Sequence, residues 1–148
     1  MINRVVAFEA GHYDEIFAGD MNHEVGETTL IFRSYASKLQ IDDLSHTYIS
    51  NGHVIAVGGV APLWPGVGEG WVVCSAKVFD HGVGVARSTR GLLDEMAANH
   101  NFHRIQSAVL TGNERLERFA KFLGFQREGI MRRYGTDQKD YAIFARIF

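Results

Sequence analysis

The chain has 148 residues, of which 46% are hydrophobic and 22% charged, a composition typical of one soluble globular domain and too apolar for a disordered segment. Its formal net charge is only −2, so the overall charge does not favour nucleic acid or an anionic membrane as a partner. Residues 103–148 nevertheless carry nine Lys or Arg against five Asp or Glu, a local excess that would attract an acidic ligand and that is also typical of solvated helix faces.

Cysteine and histidine usage narrows the class of site that the chain can hold. The single Cys74 excludes an internal disulfide and a Cys-rich zinc site, and it fits a reducing compartment. The seven histidines form no closely spaced ligand pair, so we expect no metal site. Residues 1–6 lack the apolar core of a signal peptide and no run has membrane-spanning length, which predicts a cytoplasmic protein.

The N-terminal third predicts one strand followed by two helices. The β-prone run Arg4–Ala10 indicates a strand at or near a sheet edge, and His12–Asp20 suits a short helix. Apolar residues at helical spacing predict a second helix over Gly26–Gln40.

An antiparallel hairpin comes next. Ser45–Ser50 and His53–Ala61 are β-prone runs on either side of Asn51-Gly52, a strong signal for a two-residue turn. The second run is apolar throughout, so we expect it in the middle of a sheet. Both prolines of the chain fall in Pro62–Gly68, which predicts a loop there.

Strands then alternate with helices. We predict a strand over Glu69–Val78, a helix from Val85 to about Asn101 and a strand over Arg104–Leu110. Asn113 should cap the start of the next helix, and Gly124 should close its C-terminal end.

The tail predicts two strands, over Phe125–Tyr134 and Tyr141–Ile147, joined by a turn at Gly135–Asp140. The predicted order is therefore β-α-α-β-β-β-α-β-α-β-β. Hairpin-linked strands followed by strands separated by helices favour an α/β fold with a mixed sheet.

The segment Asn113–Gly129 carries the most specific motif. It places an Asn before an amphipathic helix, then Leu123-Gly124-Phe125, then Glu128-Gly129, and it follows a predicted strand. This pattern and the element order resemble the GNAT superfamily of acyltransferases. The resemblance implies the GNAT fold, with helices flanking a mixed and mostly antiparallel sheet in a single domain over residues 1–148. It also implies acetyl-CoA as acyl donor, with Asn113 and Phe119 among its contacts.

A second motif lies at the start of the long helix. His81-Gly82-Val83-Gly84-Val85-Ala86 is similar to the phosphate-binding turn of the superfamily, with His in a place where Gln or Arg is usual. Small residues let backbone N–H groups approach a pyrophosphate at a helix N-terminus, and Arg87 and Arg90 could pair with phosphate oxygens. A plain strand-to-helix turn is the alternative interpretation. The predicted cofactor contacts in this stretch are Gly82, Val83, Gly84, Val85, Ala86 and Arg87.

In the superfamily the pantetheine arm of the cofactor pairs with the strand before that turn. The resemblance therefore implies backbone contacts from Val73, Cys74 and Ser75. Cys74 could also act as a nucleophile, but no His and Asp partners can be assigned to it, so the sequence favours a small core thiol.

Acetyl transfer to an amine needs a base for the ammonium proton and an acid for the leaving thiolate. Glu69, at the mouth of the fourth predicted strand, is the candidate base, and His81 is the alternative because imidazole titrates near neutral pH. The superfamily often places a Tyr acid where this chain has Ala120. Tyr134, Tyr141 or a water would have to replace that acid.

A narrower resemblance covers five segments, which are similar to GNAT-related proteins of short-tailed bacteriophages, some of them acetyltransferases and others internal virion proteins. The segments are His53–Val60, Trp64–Trp71, His103–Val109, Glu128–Arg132 and Asp140-Tyr141. This likeness implies a role in an infected bacterium or a phage particle. Two hypotheses result: an N-acetyltransferase acting on an amine of a small molecule or protein, or a catalytically degenerate scaffold that binds a host or virion protein.

Overall fold

A computed structural model describes residues 2–19 and 36–148. Within those residues the chain forms seven strands, four α-helices and one 3₁₀ helix. In chain order they are β1 Asn3–Ala7, α1 Ala10–Ala18, α2 Ala36–Leu39, β2 Ser45–Ser50, β3 His53–Trp64, β4 Val67–Cys74, the 3₁₀ helix Ala76–His81, α3 Gly82–Asn99, β5 Arg104–Leu110, α4 Glu114–Phe122, β6 Gln126–Met131 and β7 Tyr141–Ile147. None of the described helices has the length and apolar character that crossing a bilayer requires.

The strands form one seven-stranded sheet in the order β1-β2-β3-β4-β5-β7-β6. β4 and β5 run parallel, as expected of strands linked by a helix, whereas β1–β2, β2–β3, β5–β7 and β6–β7 pair antiparallel. The predicted mixed sheet is therefore confirmed, as is the edge position of the first strand. The apolar run of β3 is also central, as predicted, with Val54, Ile55 and Val57 buried.

The chain divides into two compact units, Met1–Ala61 with Trp71–Val85 and Pro62–Gly70 with Ala86–Phe148. In the first unit, α1 places Tyr13 and Ile16 in an apolar cluster with strand residues. Trp71 belongs to this cluster and meets Phe8 edge-on, with ring centroids 5.4 Å apart. The rest of the cluster is Leu39, Ile49, Val54, Val57 and Val73.

The second unit is built on β5 and β7, whose Ile105, Ala142 and Phe144 are completely buried. Asn113 caps α4 by accepting a hydrogen bond at Oδ1 from the Leu116 amide at 3.2 Å, as the sequence predicts. Gly124 ends the helix at φ +92°. Its amide donates to the Lys121 carbonyl, and the Phe125 amide to the Ala120 carbonyl, each at 3.0 Å, which is the Schellman arrangement.

The β2–β3 and β3–β4 connections each turn on two residues. Asn51 and Gly52 have φ of +49° and +79°, the left-handed pair that an Asn-Gly turn uses. The predicted loop over Pro62–Gly68 is wrong, because β3 extends to Trp64 and β4 begins at Val67. Pro65 and Gly66 suffice for the turn, since proline suits its first central position and Gly66, at φ +83°, its second.

The predicted end of the fourth strand is also wrong. β4 stops at Cys74, and Ala76–Val78 belong to the 3₁₀ helix instead of the strand. Ser75 explains the change, because its Oγ accepts a hydrogen bond from the Lys77 amide at 3.3 Å and so caps the 3₁₀ helix. The 3₁₀ helix leads directly into α3, which begins three residues before the predicted Val85.

Two N-terminal boundaries differ from the prediction. α1 begins at Ala10, two residues early, because the Glu9 amide donates to His12 Nδ1 at 3.1 Å and completes a reciprocal cap. The first strand consequently ends at Ala7. Of the helix predicted over Gly26–Gln40, residues 26–35 lie outside the described residues, and Ala36–Leu39 are helical.

Candidate functional site

A row of polar side chains crosses β4, β5 and β6 in the second unit. The parallel ladder pairs Glu69 of β4 with Gln106 of β5, and the two side chains are hydrogen-bonded. Arg104 lies two residues before Gln106, on the same face of β5, and its Nε donates to Gln106 Oε1 at 2.9 Å. The strand register therefore places the Glu69 carboxylate next to the Gln106 amide, and that amide next to the Arg104 guanidinium.

Arg104 connects this row to a second carboxylate. Its two terminal nitrogens donate to Glu128 Oε1 at 2.6 Å and to Oε2 at 3.0 Å, a bidentate pair. Glu128 occupies an irregular position of β6, where the register with β7 shifts between Arg127 and Gly129. We call Glu69, Arg104, Gln106, Glu128 and Tyr134 the polar cluster.

Glu69 is half-buried, and this burial raises the pKa of its carboxyl above the usual range although Gln106 and Arg104 act to lower it. Tyr134 is 52% exposed, and partial desolvation of its phenol raises its pKa, an effect to which the Glu69 charge adds. Glu69 is thus close enough for its charge to act on the Tyr134 phenol. A carboxylate with a raised pKa can accept a proton, and a phenol that stays protonated can donate one.

The Pro65-Gly66 turn holds the first residues of β5. The Gly66 carbonyl accepts hydrogen bonds from the amides of His103 at 2.8 Å and Arg104 at 3.1 Å. The His103 ring covers Gly66 so closely that a Cβ at this position would overlap it. The backbone of Arg104 is consequently fixed by the turn of the neighbouring hairpin.

The predicted phosphate-binding residues lie at the start of α3, where Gly82–Val85 belong to the first unit and Ala86 and Arg87 to the second. The 3₁₀ geometry assigns the Gly82 amide to the Phe79 carbonyl, and the α-helical geometry assigns the Val85 amide to the His81 carbonyl. Gly82 and Val83 are exposed, Gly84 and Ala86 are half-buried, and Val85 is buried.

Tyr48 of β2 packs beneath this helix start. Its hydroxyl lies where a Cβ of Gly84 would be, so only glycine fits there without displacement. Its ring centroid is 6.4 Å from that of the half-buried His81. The second glycine of the motif is therefore required by side-chain packing.

The end of β4 carries the other predicted cofactor contacts. Val73 and Cys74 are buried, and burial raises the pKa of the Cys74 thiol to about 12, which excludes a thiolate nucleophile at neutral pH. The Ser75 amide donates to the Ile55 carbonyl at 2.9 Å, and the Ser75 carbonyl accepts from the Val78 amide at 3.1 Å. Both backbone groups of Ser75 thus have partners within the chain.

The remaining candidate contacts lie on helices. Asn113 and Phe119 are half-buried, and Ala120 is buried at the position where the superfamily often has a tyrosine. Arg87 is exposed, whereas the Arg90 guanidinium lies 5.4 Å from the centre of the Phe122 ring.

Of the predicted catalytic residues, Glu69 and Tyr134 lie in the second unit, where the Glu69 charge acts on Tyr134, and His81 belongs to the first unit. Sequence reasoning missed Arg104, Gln106 and Glu128 as members of the site. The available signal was the spacing of Arg104 and Gln106, two long polar side chains on one face of an otherwise apolar strand.

No protein-family model matches the sequence, and neither does any curated protein. Solved structures of similar fold exist. The chain is 14% identical to a ribosomal-protein-alanine N-acetyltransferase from Brucella melitensis, with a TM-score of 0.74 over 98% of this chain and 99% of that one. It is 15% identical to a GNAT-superfamily phosphinothricin acetyltransferase from Sinorhizobium meliloti, determined in complex with AcCoA, with a TM-score of 0.71 over 100% and 89%.

An N-acetyltransferase from Staphylococcus aureus Mu50 gives a TM-score of 0.71 at 13% identity, over 99% of each chain. The described residues form a seven-stranded mixed sheet flanked by helices, and their fold matches these neighbours. The chain therefore has the fold of the GNAT acetyltransferases.

Proposed function

We propose that the protein is an acetyl-CoA-dependent N-acetyltransferase in which Glu69 is the general base. The supporting observation is a half-buried carboxylate with a raised pKa, within a polar cluster, in a chain with an acetyltransferase fold. A base is most effective when its pKa approaches the working pH, and burial moves Glu69 in that direction.

In this proposal Glu69 removes a proton from the acceptor ammonium, directly or through one water. The freed nitrogen attacks the thioester carbonyl, the C–N bond forms and the C–S bond breaks. Tyr134 returns a proton to the leaving thiolate. It replaces the acid that the superfamily often places at the position of Ala120, since alanine has no proton to donate. His81 remains the alternative base.

The proposed contacts to the acyl donor come from residues of three elements. The amides of Val83 and Gly84, with Gly82, Val85, Ala86 and Arg87 around them, would face the pyrophosphate at the start of α3. Val73 and Cys74 would offer backbone groups to the pantetheine arm, whereas Ser75 has its own partners. Asn113 and Phe119 of the α4 region complete the proposed set.

The acceptor is an amine of a small molecule or a protein. We also propose that the protein is of phage origin and acts in the bacterial cytoplasm or the virion. The alternative function is a scaffold that binds a host or virion protein without turnover. Its support is the buried Ala120, which replaces the expected acid.

Titration calorimetry with acetyl-CoA tests donor binding, and release of the coenzyme A thiol tests turnover against a panel of amines and peptides. We expect Glu69→Gln to lower kcat by about 10²- to 10⁴-fold with little change in acetyl-CoA affinity. Glu95→Gln, which neutralises an exposed carboxylate of α3, is the matched control and should keep full activity. Absence of acetyl-CoA binding at millimolar concentration would overturn the proposal, and binding without turnover would favour the scaffold.

A further inference from the structure

The amide of Gln106 has only one orientation that satisfies both of its neighbours. Arg104 Nε–H can only donate, and it donates to Gln106 Oε1 at 2.9 Å. The NH₂ group of Gln106 must then point to Glu69, whose carboxylate can only accept. A flipped amide would set donor against donor at Arg104 and acceptor against acceptor at Glu69.

Arg104 is itself held in place. Two hydrogen bonds to Glu128, at 2.6 and 3.0 Å, fix the plane of its guanidinium, and the Gly66 carbonyl fixes its backbone. Hydrogen bonding to Glu128, together with the Glu128 charge, raises the pKa of Arg104, and hydrogen bonding to Arg104, together with the Arg104 charge, lowers the pKa of Glu128, so both groups remain ionised at neutral pH. A series of hydrogen bonds, each with a fixed donor and acceptor, therefore links Glu128 through Arg104 and Gln106 to Glu69.

We infer that Gln106 is a positioning residue for the base, and that the Arg104–Glu128 pair locks the amide of Gln106 in the donating orientation. One oxygen of Glu69 accepts from Gln106, which restricts rotation of the carboxylate and leaves the other oxygen for the acceptor amine. The inference rests on the proposed role of Glu69 as the base, and it adds three residues that act through Glu69.

The groups that act on Glu69 are Gln106 and Arg104 from β5, and the Glu69 charge in turn acts on Tyr134 in the segment after β6. Gln106 and Arg104 both favour the ionised carboxylate, whereas burial opposes it. Loss of the Gln106 donor should therefore raise the pH at which Glu69 titrates. A role of Gln106 in packing alone would leave that pH unchanged.

The experiment follows the Glu69 carboxyl carbon by NMR in protein labelled with ¹³C-glutamate, the signal being assigned by its loss in Glu69→Gln. Gln106→Met keeps the length and volume of the side chain and removes its donor, and we expect the titration midpoint to rise by about one pH unit. Gln126→Leu, which alters an exposed glutamine of β6, is the control and should leave the midpoint unchanged.

Arg104→Lys provides a second route, because it keeps the positive charge but removes the Nε donor and the planar fork. We expect a rise in the same direction, so either variant decides the question if the other fails to fold. An unchanged midpoint in a folded Gln106→Met or Arg104→Lys protein overturns the inference.

In an active enzyme the acid limb of the kcat/KM profile should rise with the NMR midpoint, while KM for acetyl-CoA stays constant. A midpoint that moves in a protein without turnover would preserve the positioning relation and reject the proposed function. Turnover with an unchanged midpoint would support the proposed function and reject the positioning role of Gln106. The failure of one proposal can therefore be distinguished from the failure of the other.

Discussion

The hydroxyl of Tyr48 occupies the space that a side chain at Gly84 would need. The two residues come from β2 and from the first turn of α3, and both belong to the first compact unit. Tyr48 is 8% exposed and its ring has little room to move. The helix start is therefore held against the sheet by a contact that tolerates no methyl group.

Gly84→Ala should lower the free energy of unfolding by about 1–3 kcal/mol, because overpacking outweighs the better helix propensity of alanine. The same substitution in a Tyr48→Phe background should cost much less, since the overlapping oxygen is gone. Urea denaturation of the four proteins in this double-mutant cycle measures the coupling. Additive effects of the two substitutions would contradict the contact.

Glu69→Gln should make the protein more stable at neutral pH while it removes activity. The folded-state pKa of Glu69 lies above its unfolded value, so its contribution to stability is complete below the unfolded pKa and is lost as pH rises through the folded pKa. The stability gain of the variant should accordingly be small near pH 4 and larger at pH 8. Urea denaturation at both pH values gives the comparison, and a gain that does not grow with pH would refute it.

Gly91 and Gly124 should respond oppositely to alanine. Gly91 lies exposed within α3 with no atom near its missing Cβ, so Gly91→Ala should add roughly 0.5–1 kcal/mol to the free energy of unfolding. Gly124 has φ +92° beneath the Arg146 side chain, so Gly124→Ala should subtract about 1–3 kcal/mol. Thermal unfolding of the two variants is compared, so that each serves as a control for the other. A change in stability of the same sign in both variants would argue against the Schellman end of α4.

Cys74 should be unreactive in the folded protein. Its thiol is buried and its pKa is raised to about 12, so at pH 8 iodoacetamide should modify it only as fast as the protein unfolds. In denaturant the single thiol should react at once. Mass spectrometry over time distinguishes the two regimes, and rapid modification of the native protein would contradict the burial.

The sequence predicted most of the elements because the local signals agree with the tertiary structure. The Asn51-Gly52 turn, the Asn113 cap and the Gly124 helix end each depend on the conformation of one or two residues, which the side chain itself determines. Their positions in the structure are those predicted.

Where prediction failed, neighbouring residues decided the local structure. The prolines near residues 62–68 suggested a loop, yet one Pro-Gly turn lets two long strands continue on either side. The β-prone run predicted a strand up to Val78, but Ser75 caps a 3₁₀ helix there and β4 ends before it. The link between Gln106 and Glu69 depends on the register of two parallel strands, which the sequence does not specify.

The turn at Gly66 influences the orientation of the polar cluster although the turn is not part of it. Its carbonyl fixes the backbone of Arg104, and Arg104 orients the amide next to Glu69. A substitution in this turn could therefore retune proton transfer without altering any group that meets a substrate. Natural variation or directed evolution of turnover could consequently act first at residues 65 and 66.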